Sequence, residues 1–307
     1  MLESHIEEKL EGLSDIPTIP AYLSRLMRAL DNTDIPAKKI AELVERDQAL
    51  TTKVLKSANS AHYGQQKKVS TVELAIILMG LNTIKEIVVG MLIKRFFAKI
   101  PSYLFDAENF WHYTIFCGAC SRVLARRFRF KLAGEAFVAG LMHDLGILII
   151  VQHFTHEYRE ISKLVDSGKF NLIRAESVVL GSTHADIGGW LAEHWSLPNQ
   201  LVEAVSYHHS TEKGLKSEGI KISETGRTLT KIVALSEWFA HDMSYMDWYK
   251  TKNRNTLFAG PEDLYSLAGD EFIESASQIT LLKQDIISEY NKSSEFTTGF
   301  DLGRNLY

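Results

Sequence analysis

Several features that mark specialised classes of protein are scarce in this sequence of 307 residues. It has two cysteines, Cys117 and Cys120, which are too few for a disulfide framework and indicate a reducing compartment. The formal net charge of -4 provides no basic field to attract nucleic acid or anionic lipid. The N-terminal residues lack the basic and apolar blocks of a signal peptide, and no apolar run is long enough to span a bilayer. We therefore expect a cytoplasmic protein that does not bind membranes.

Regular β-structure is also missing from the pattern, because no segment keeps up an alternation of apolar and polar residues. Apolar residues recur instead at helical spacing throughout. Asp47 is placed to begin one helix and Gly80 to end another, and Ser70-x-x-Glu73 and Thr83-x-x-Glu86 look like capping boxes. With 45% hydrophobic residues the chain has enough apolar surface for a sizeable core. The predicted fold class is all-α.

A single seam divides the helical pattern, at Pro101 and the acidic, aromatic stretch that follows it. We predict an N-terminal helical half over residues 1–104, a second half over 105–242 and a C-terminal helical extension and tail over 243–307. Helices are expected near residues 109–129, 135–151, 155–167, 170–180, 184–195, 198–209, 227–242, 261–269 and 271–291.

One ionisable pair, His143–Asp144, interrupts the most apolar stretch of the chain, residues 136–151. Burying a carboxylate in such a segment is costly unless it is paired or holds a metal ion. Further histidines that could converge on the pair follow at His184 and in the doublet His208–His209. This pattern predicts a metal-type site on an α-helical scaffold.

Several motifs in consistent order resemble the bacterial HDOD domain. They include Ala58-Asn-Ser-Ala-His-Tyr-Gly64, Ala139-Gly-Leu-Met-His-Asp-Leu-Gly146, His184-Ala-Asp-Ile-Gly188 and Trp195-Ser-Leu-Pro198 followed by the His doublet. The resemblance covers about residues 12–242. It implies a multihelical fold in which an N-terminal helical subdomain packs on an HD-like helical subdomain. It also implies kinship with HD phosphohydrolases and HD-GYP phosphodiesterases, and a signalling module whose catalytic site is eroded.

Carried over onto this sequence, the resemblance implies a set of metal ligands with substitutions. The implied ligands are His143, Asp144, His184, His208, His209 and Glu237, the last standing where an aspartate is usual. Tyr113 replaces a histidine expected one turn into the helix after Phe110-Trp111, and Ile147 replaces a lysine that often follows the His-Asp pair. Tyr113 and Cys117 are expected on the wall of the pocket.

Two alternatives remain for this cluster. Imidazole and carboxylate groups could hold a single divalent ion, Zn²⁺, Fe, Mn²⁺ or Ni²⁺, because these ligands do not select strongly among such metals. The same groups could instead form a neutralised hydrogen-bond network without any metal. An intact two-metal centre is disfavoured, because it needs about twice as many ligands and the histidine expected at position 113 is a tyrosine.

Three functions are compatible with these features. The favoured one is a non-catalytic regulatory module that acts through a signalling protein partner in trans or through a small-molecule or nucleotide ligand. The second is a metal-dependent phosphohydrolase or phosphodiesterase acting on a nucleotide or cyclic dinucleotide. The third is a nucleic-acid-binding adaptor, which the acidic net charge argues against. Arg122 and Arg126 recur at helical spacing and could bind an anion, although such a pair more often forms a solvated helix face.

Overall fold

The computed structural model describes residues 2–13, 21–30, 34–60, 63, 68–97, 100, 103, 105–210, 219–245 and 276–298. Within these ranges every secondary-structure element longer than one residue is an α-helix and no strand occurs, which confirms the predicted all-α class. The chain divides into two compact units, one of Met1–Ile16 with Lys99–Tyr290 and the other of Pro17–Ala98 with Asn291–Tyr307. The three-part division drawn from the sequence stays a prediction.

The smaller unit contains five helices of the N-terminal region. In chain order they are α2 (Ala21–Leu30), α3 (Ala37–Val44), α4 (Gln48–Ala58), α5 (Val72–Met79) and α6 (Leu81–Phe97). Asp47 caps α4 as predicted, because its side chain accepts a hydrogen bond from the Leu50 N–H. Gly80 ends α5 with a φ of 81°, a backbone conformation that favours glycine.

The two capping boxes predicted around Gly80 are wrong. The N-cap of α5 is Thr71, whose side chain accepts from the Leu74 N–H. Thr83 lies inside α6 and donates its hydroxyl to the Met79 carbonyl at 2.9 Å. The second box fails because the turn at Gly80 lets α6 begin at Leu81, three residues earlier than a cap at Thr83 required.

The larger unit contains the remaining described helices. They are α1 (Ser4–Glu11), α7 (Ala107–Arg127), α8 (Ala133–Met142), α9 (Leu145–His153), α10 (Thr155–Asp166), α11 (Leu172–Leu180), α12 (His184–His194), α13 (Asn199–Tyr207), α14 (Glu224–Asp242) and the first part of α15 (Ala276–Thr298). The helix predicted near 261–269 lies outside the described residues.

Helices α7 and α8 form the centre of this unit and approach each other closely. A Cβ atom added to Gly140 would lie 2.5 Å from the Cys117 carbonyl oxygen, and one added to Gly118 would lie 3.0 Å from the Phe137 carbonyl oxygen. Glycine at both positions therefore lets the two backbones touch. Most of α7 is buried, including both cysteines, which are free thiols.

The single helix predicted over residues 135–151 is wrong, because the chain forms two helices that break at His143–Asp144. Asp144 has φ −101° and ψ 11°, which leaves the α-helical region. In a continuous helix, neighbouring side chains point about 100° apart. The break allows both ionisable side chains to face the same interior space, and His143 and Asp144 are only 0% and 2% exposed.

The expectation that no apolar run is long enough to span a bilayer is wrong, because residues 133–153 are long and apolar enough. However, 94% of the apolar window of this stretch is buried inside the protein. It spans α8 and α9 and carries the broken turn at His143–Asp144. The pair α5 and α6 passes the same test only if taken together, and it is bent by 110°. The buried stretch is a core element of the folded unit.

Candidate metal centre

Five parts of the larger unit bring the site residues of the sequence analysis into one cluster. Tyr113 comes from the middle of α7, His143 and Asp144 from the break between α8 and α9, His184 from the first residue of α12, His208 and His209 from the turn after α13, and Glu237 from α14. Asp144 is central to the cluster. Its Oδ1 lies 3.1 Å from His184 Nε2 and 3.5 Å from His208 Nε2, and its Oδ2 lies 3.3 Å from His143 Nε2.

The orientation of two imidazoles follows from their outer nitrogens. His143 Nδ1 lies 2.8 Å from the Gly140 carbonyl oxygen, and His208 Nδ1 lies 2.7 Å from the Val205 carbonyl oxygen. A carbonyl oxygen only accepts hydrogen bonds, so both Nδ1 atoms carry a proton. In the neutral form each ring then presents the lone pair of Nε2 to the interior of the cluster.

A third imidazole, that of His184, is oriented by Glu176 on α11. The Glu176 carboxylate accepts from the His184 backbone N–H at 2.9 Å, and its two oxygens lie 2.8 and 3.0 Å from His184 Nδ1. This leaves His184 Nε2 directed at Asp144. A carboxylate on the outer nitrogen of a histidine is the arrangement that orients metal-binding histidines in many proteins.

The charge states of these groups follow from their surroundings. Burial opposes ionisation of His184, but Glu176 and Asp144 outweigh it and hold its pKa well above the ordinary value. Burial lowers the pKa of His208 to about 4, so this ring is neutral at pH 7. Burial would raise the pKa of Asp144, but His143 and His184 outweigh it and hold the pKa well below the ordinary range.

The neutral ring of His208 therefore directs a lone pair toward the ionised carboxylate of Asp144. His208 Nε2 is buried and makes no hydrogen bond to any described residue, and it lies 3.5 Å from Asp144 Oδ1, the oxygen that also faces His184 Nε2 at 3.1 Å. Two buried acceptors that face each other repel unless a cation lies between them. The residues present therefore fit a divalent metal ion.

Two overlapping groups of donors could hold such an ion. In the first, called here the four-donor group, one ligand atom each from Asp144, His184, His208 and His209 lie within 4.8 Å of one another. In the second, the three-donor group, the same holds for His143, His208 and Glu237. Three nitrogens with one oxygen suit Zn²⁺ and its neighbours in the first transition series, and a fourfold set matches the usual number of protein ligands in a closed site.

His209 connects this cluster to the surface. Its Nε2 lies 3.0 Å from His184 Nε2, and its Nδ1 lies 3.7 Å from Glu237 Oε2. Its side chain is 21% exposed, whereas that of His184 is 1% exposed. Burial and the neighbouring imidazoles lower the pKa of His209 well below its ordinary value, which leaves it neutral and able to ligate.

Tyr113 occupies the side of the cluster next to the three-donor group. Its hydroxyl donates to Asp144 Oδ2 at 2.8 Å and lies 3.0 Å from His143 Nε2. Burial, followed by the negative charge of Asp144, raises the pKa of this phenol well above its ordinary value. Tyr113 therefore stays protonated at neutral pH and acts as a hydrogen-bond donor where the family resemblance places a ligand.

The remaining two predicted residues line the same interior. Burial raises the pKa of the Glu237 carboxyl well above its ordinary value, and the nearby charge of Asp144 raises it further. Burial also raises the pKa of the Cys117 thiol, with Glu237 as the next cause. Cys117 is therefore an unreactive thiol on the wall of the pocket.

Arg122 and Arg126 are not brought to this cluster. They lie farther along α7, where Arg122 Nη1 is 2.6 Å from Glu289 Oε1 and Arg126 Nη1 is 3.0 Å from Glu289 Oε2. Burial would raise the pKa of Glu289, but the two guanidinium groups outweigh it and lower the pKa. The chain's own carboxylate on α15 thus engages the pair that was predicted to bind an anion.

Glu176 is the functional residue that sequence reasoning missed. It is 2% exposed and lies on the buried face of α11 with Leu172, Ala175 and Leu180. A charged residue on an otherwise apolar helix face is the same signal that singled out His143–Asp144. The spacing of α11 therefore contained the information needed to find it.

Comparison with known proteins identifies a family and several related folds. The HDOD domain model matches residues 16–211. An uncharacterized protein of Treponema pallidum is 24% identical over 201 residues, which are 65% of this chain and 39% of that protein. This chain thus spans about two fifths of the length of that relative.

Solved structures of similar fold come from three bacteria. An HDOD domain protein with unknown function from Geobacter sulfurreducens has a TM-score of 0.73 and 23% identity, covering 95% of this chain and 97% of its own. A proposed phosphohydrolase from Shewanella amazonensis has a TM-score of 0.69 and 23% identity, covering 94% and 97%. A proposed signal transduction protein from Marinobacter aquaeolei has a TM-score of 0.70 and 18% identity, covering 97% and 66%. At these identities the likeness shows the fold alone.

Proposed function

This chain belongs to the HDOD domain family, and from that premise we propose that it is a regulatory module of signal transduction that does not hydrolyse phosphate esters. In this proposal its HD-type cluster holds one divalent metal ion in the four-donor group. The HDOD family is related to HD phosphohydrolases and to signal transduction proteins. The geometry of the cluster supports the regulatory alternative for this member.

The observation that carries the proposal is the position of the Tyr113 hydroxyl, 2.8 Å from Asp144 Oδ2 and 3.0 Å from His143 Nε2. A hydrolytic metal site needs an open coordination position for the attacking water and room for the substrate beside it. A protonated phenol supplies no ligand, and here it fills the space next to the His-Asp pair. This arrangement supports a closed site.

Burial of the cluster supports the same conclusion. His143, Asp144, His184, His208 and Glu237 are all at most 3% exposed, and Tyr113 is fully buried. A phosphate ester would have to reach ligands that water itself barely touches. The position at which the family resemblance places a lysine to meet phosphate holds Ile147, which is 3% exposed.

A bound divalent ion would supply positive charge at the point where Asp144 and the imidazoles meet. Side chains at the break between α8 and α9, at the start of α12 and in the turn after α13 would hold it, and it would join these elements. Because such a link favours one arrangement of the helices, the state of the centre can be passed to a surface that a signalling protein in trans recognises. We place this activity in the cytoplasm, in keeping with the composition of the chain.

Metal analysis combined with two histidine variants tests the proposal. We expect the purified 307-residue chain to contain about one ion, which is the number that a single closed site with four ligands holds. His209→Ala should lose it, since His209 belongs to the four-donor group. His143→Ala should keep it, since His143 belongs only to the three-donor group.

An activity assay completes the test. No turnover of cyclic di-guanylate or of a mononucleotide should be seen at ordinary enzymatic rates. The proposal is wrong if the protein holds about two ions per chain and hydrolyses either compound in a manner lost on His143→Ala.

A further inference from the structure

We infer that a divalent cation reaches the buried cluster through a carboxylate-lined cleft that ends at His209. This inference rests on the proposed function, because it concerns how the same centre is loaded. The cleft has a volume of about 480 Å³ and lies between α1, α11, α12 and the turn after α13. It belongs entirely to the larger unit.

The donors of the cluster differ in how far solvent reaches their side chains. Among the donors of both groups, His209 alone has an appreciably exposed side chain, at 21%. The other donors are at most 3% exposed. His209 lines the cleft, and its Nε2 lies 3.0 Å from His184 Nε2 inside the cluster. An ion entering from this cleft would therefore meet His209 first and would need to move only a few ångströms to reach Asp144.

The described lining of the cleft carries negative charge. Glu7 and Glu193 line it with exposed carboxylates, and none of its described lining residues is a lysine or an arginine. A concave surface lined by one sign of charge concentrates ions of the opposite sign and speeds their association. Phosphate-bearing ligands would be repelled by the same carboxylates. The cleft is thus suited to a metal cation and unsuited to a nucleotide.

Hydrogen bonds and packing hold two walls of the cleft in place. The Thr183 side chain and the Asp186 carboxylate form a reciprocal capping box at the start of α12, which fixes that wall. On the opposite side, α1 is held by a hydrogen bond from the Glu3 N–H to Ser182 Oγ at 2.9 Å and by burial of Ile6 and Leu10. The cleft is therefore a formed feature of the unit.

A reversible plug tests the route. Ser177 lines the cleft and is partly exposed, whereas Cys117 and Cys120 are buried. Thiol reagents should therefore modify Ser177→Cys selectively. The variant is capped either with a small methylthio group or with a bulky disulfide-linked dye. Uptake of Co²⁺ into the chelator-stripped, full-length protein is then followed by its visible absorption, and release by transfer to a chelator.

An obstruction in an entry route slows entry and exit equally and leaves the equilibrium affinity unchanged. We expect the bulky cap to slow both uptake and release at least tenfold relative to the methylthio cap, with the same Kd for Co²⁺. Equal rates for the two caps would overturn the route while leaving the metal centre intact. Failure of the unmodified protein to bind Co²⁺ at all would overturn the proposed centre and the route together.

Removal of the negative charges of the cleft provides an independent test of the route. The paired variant Glu7→Gln with Glu193→Gln should load Co²⁺ several-fold more slowly at low ionic strength. The difference should shrink near 1 M salt, where the screening length is about 3 Å. The matched control is Glu108→Gln with Glu160→Gln, which removes the same charge from exposed residues that do not line the cleft. If the control slows loading as much as the cleft pair does, the carboxylates of the cleft have no special part.

Discussion

The Tyr113 hydroxyl donates a 2.8 Å hydrogen bond to Asp144 Oδ2, within a site where both residues are almost completely buried. A hydrogen bond to a charged group contributes about 1.5–3 kcal/mol, and a buried acceptor that loses its donor incurs a desolvation cost. We therefore expect Tyr113→Phe to lower the unfolding free energy of the protein by about that amount when a chelator keeps it free of metal, as measured by urea denaturation. Added metal should reduce the loss, because the ion would satisfy the carboxylate.

Tyr103→Phe is the matched control for this substitution, since Tyr103 is 81% exposed. Removal of its hydroxyl should change the unfolding free energy by less than about 0.5 kcal/mol. Equal stability of wild type and Tyr113→Phe in chelator would show that the phenol does not satisfy Asp144.

Glu176 is expected to tune the metal affinity of His184. One oxygen of its carboxylate lies within hydrogen-bond distance of both His184 N–H groups, so the amide oxygen of Glu176→Gln can keep both bonds and lose only the charge. Glu176→Ala loses the charge and the bonds. Loss of a partner on the outer nitrogen of a metal-binding histidine typically weakens metal affinity by about 10–100-fold. We therefore expect Glu176→Ala to weaken Zn²⁺ binding by that factor and Glu176→Gln to weaken it less.

A chelator competition assay measures these affinities, and nitrogen chemical shifts of His184 report which ring nitrogen carries the proton. A merely structural role would leave the protonated nitrogen of His184 the same in both variants. Identical affinities for wild type and Glu176→Ala would contradict the positioning role.

The stability of the chelated protein should depend on His208 between neutral and acid pH. Burial lowers the pKa of His208 to about 4, whereas an unfolded chain titrates histidine near 6.5. As the pH falls, the unfolded state takes up the proton first. The contribution of His208 is therefore fully present above about pH 6.5 and is lost down to about pH 4, at up to about 1.4 kcal/mol per pH unit.

Other groups of the cluster titrate with different signs. The depressed pKa of Asp144 adds stability above about pH 4 that is lost in stronger acid, whereas the raised pKa of His184 adds stability that is lost as the pH rises through its folded value. Comparing His208→Gln with wild type isolates the contribution of His208 to the pH dependence of stability. The variant should lose stability less steeply between pH 6.5 and 4, by about one proton, and parallel curves would refute the prediction.

Gly146 sets the distance between α9 and α12. A Cβ atom added there would lie 1.9 Å from the His184 carbonyl oxygen and 2.9 Å from the Gly188 nitrogen. Gly146→Ala should therefore destabilise the fold by at least the roughly 1–3 kcal/mol of an overpacked core, as measured by thermal unfolding. Gly12→Ala is the control, because its nearest Cβ contact would be an ordinary 3.4 Å. Wild-type stability in Gly146→Ala would mean that α9 and α12 can separate without cost.

The helical class and the residues of the cluster could be predicted from the sequence for the same reason. Each depends on residues whose burial is either cheap, as for the apolar faces, or conspicuous, as for His143–Asp144. The break between α8 and α9 was not accessible in this way, because an apolar run carries no local signal for where a backbone leaves the helical region. Helix α12 approaches the chain at Gly146, two residues after the break, and this tertiary contact leaves no local pattern in the sequence.

The partners of individual side chains also depended on the fold. The sequence placed Arg122 and Arg126 on one helix face, but their partner Glu289 lies more than 160 positions away and could not be paired with them by spacing. Glu176 could have been found from the apolar face of α11, whereas its bond to His184 required the fold.

The cluster draws its side chains from widely separated parts of the chain, with Tyr113 the first and Glu237 the last. At roughly 5–20 residues per second, a ribosome needs roughly 5–20 s to extend the nascent chain from Asp144 to Glu237. During that interval the His-Asp pair has left the ribosome before all of its burial partners exist. The centre is therefore completed late in translation, and a chain truncated before Glu237 would carry the pair without the carboxyl that closes one side of it.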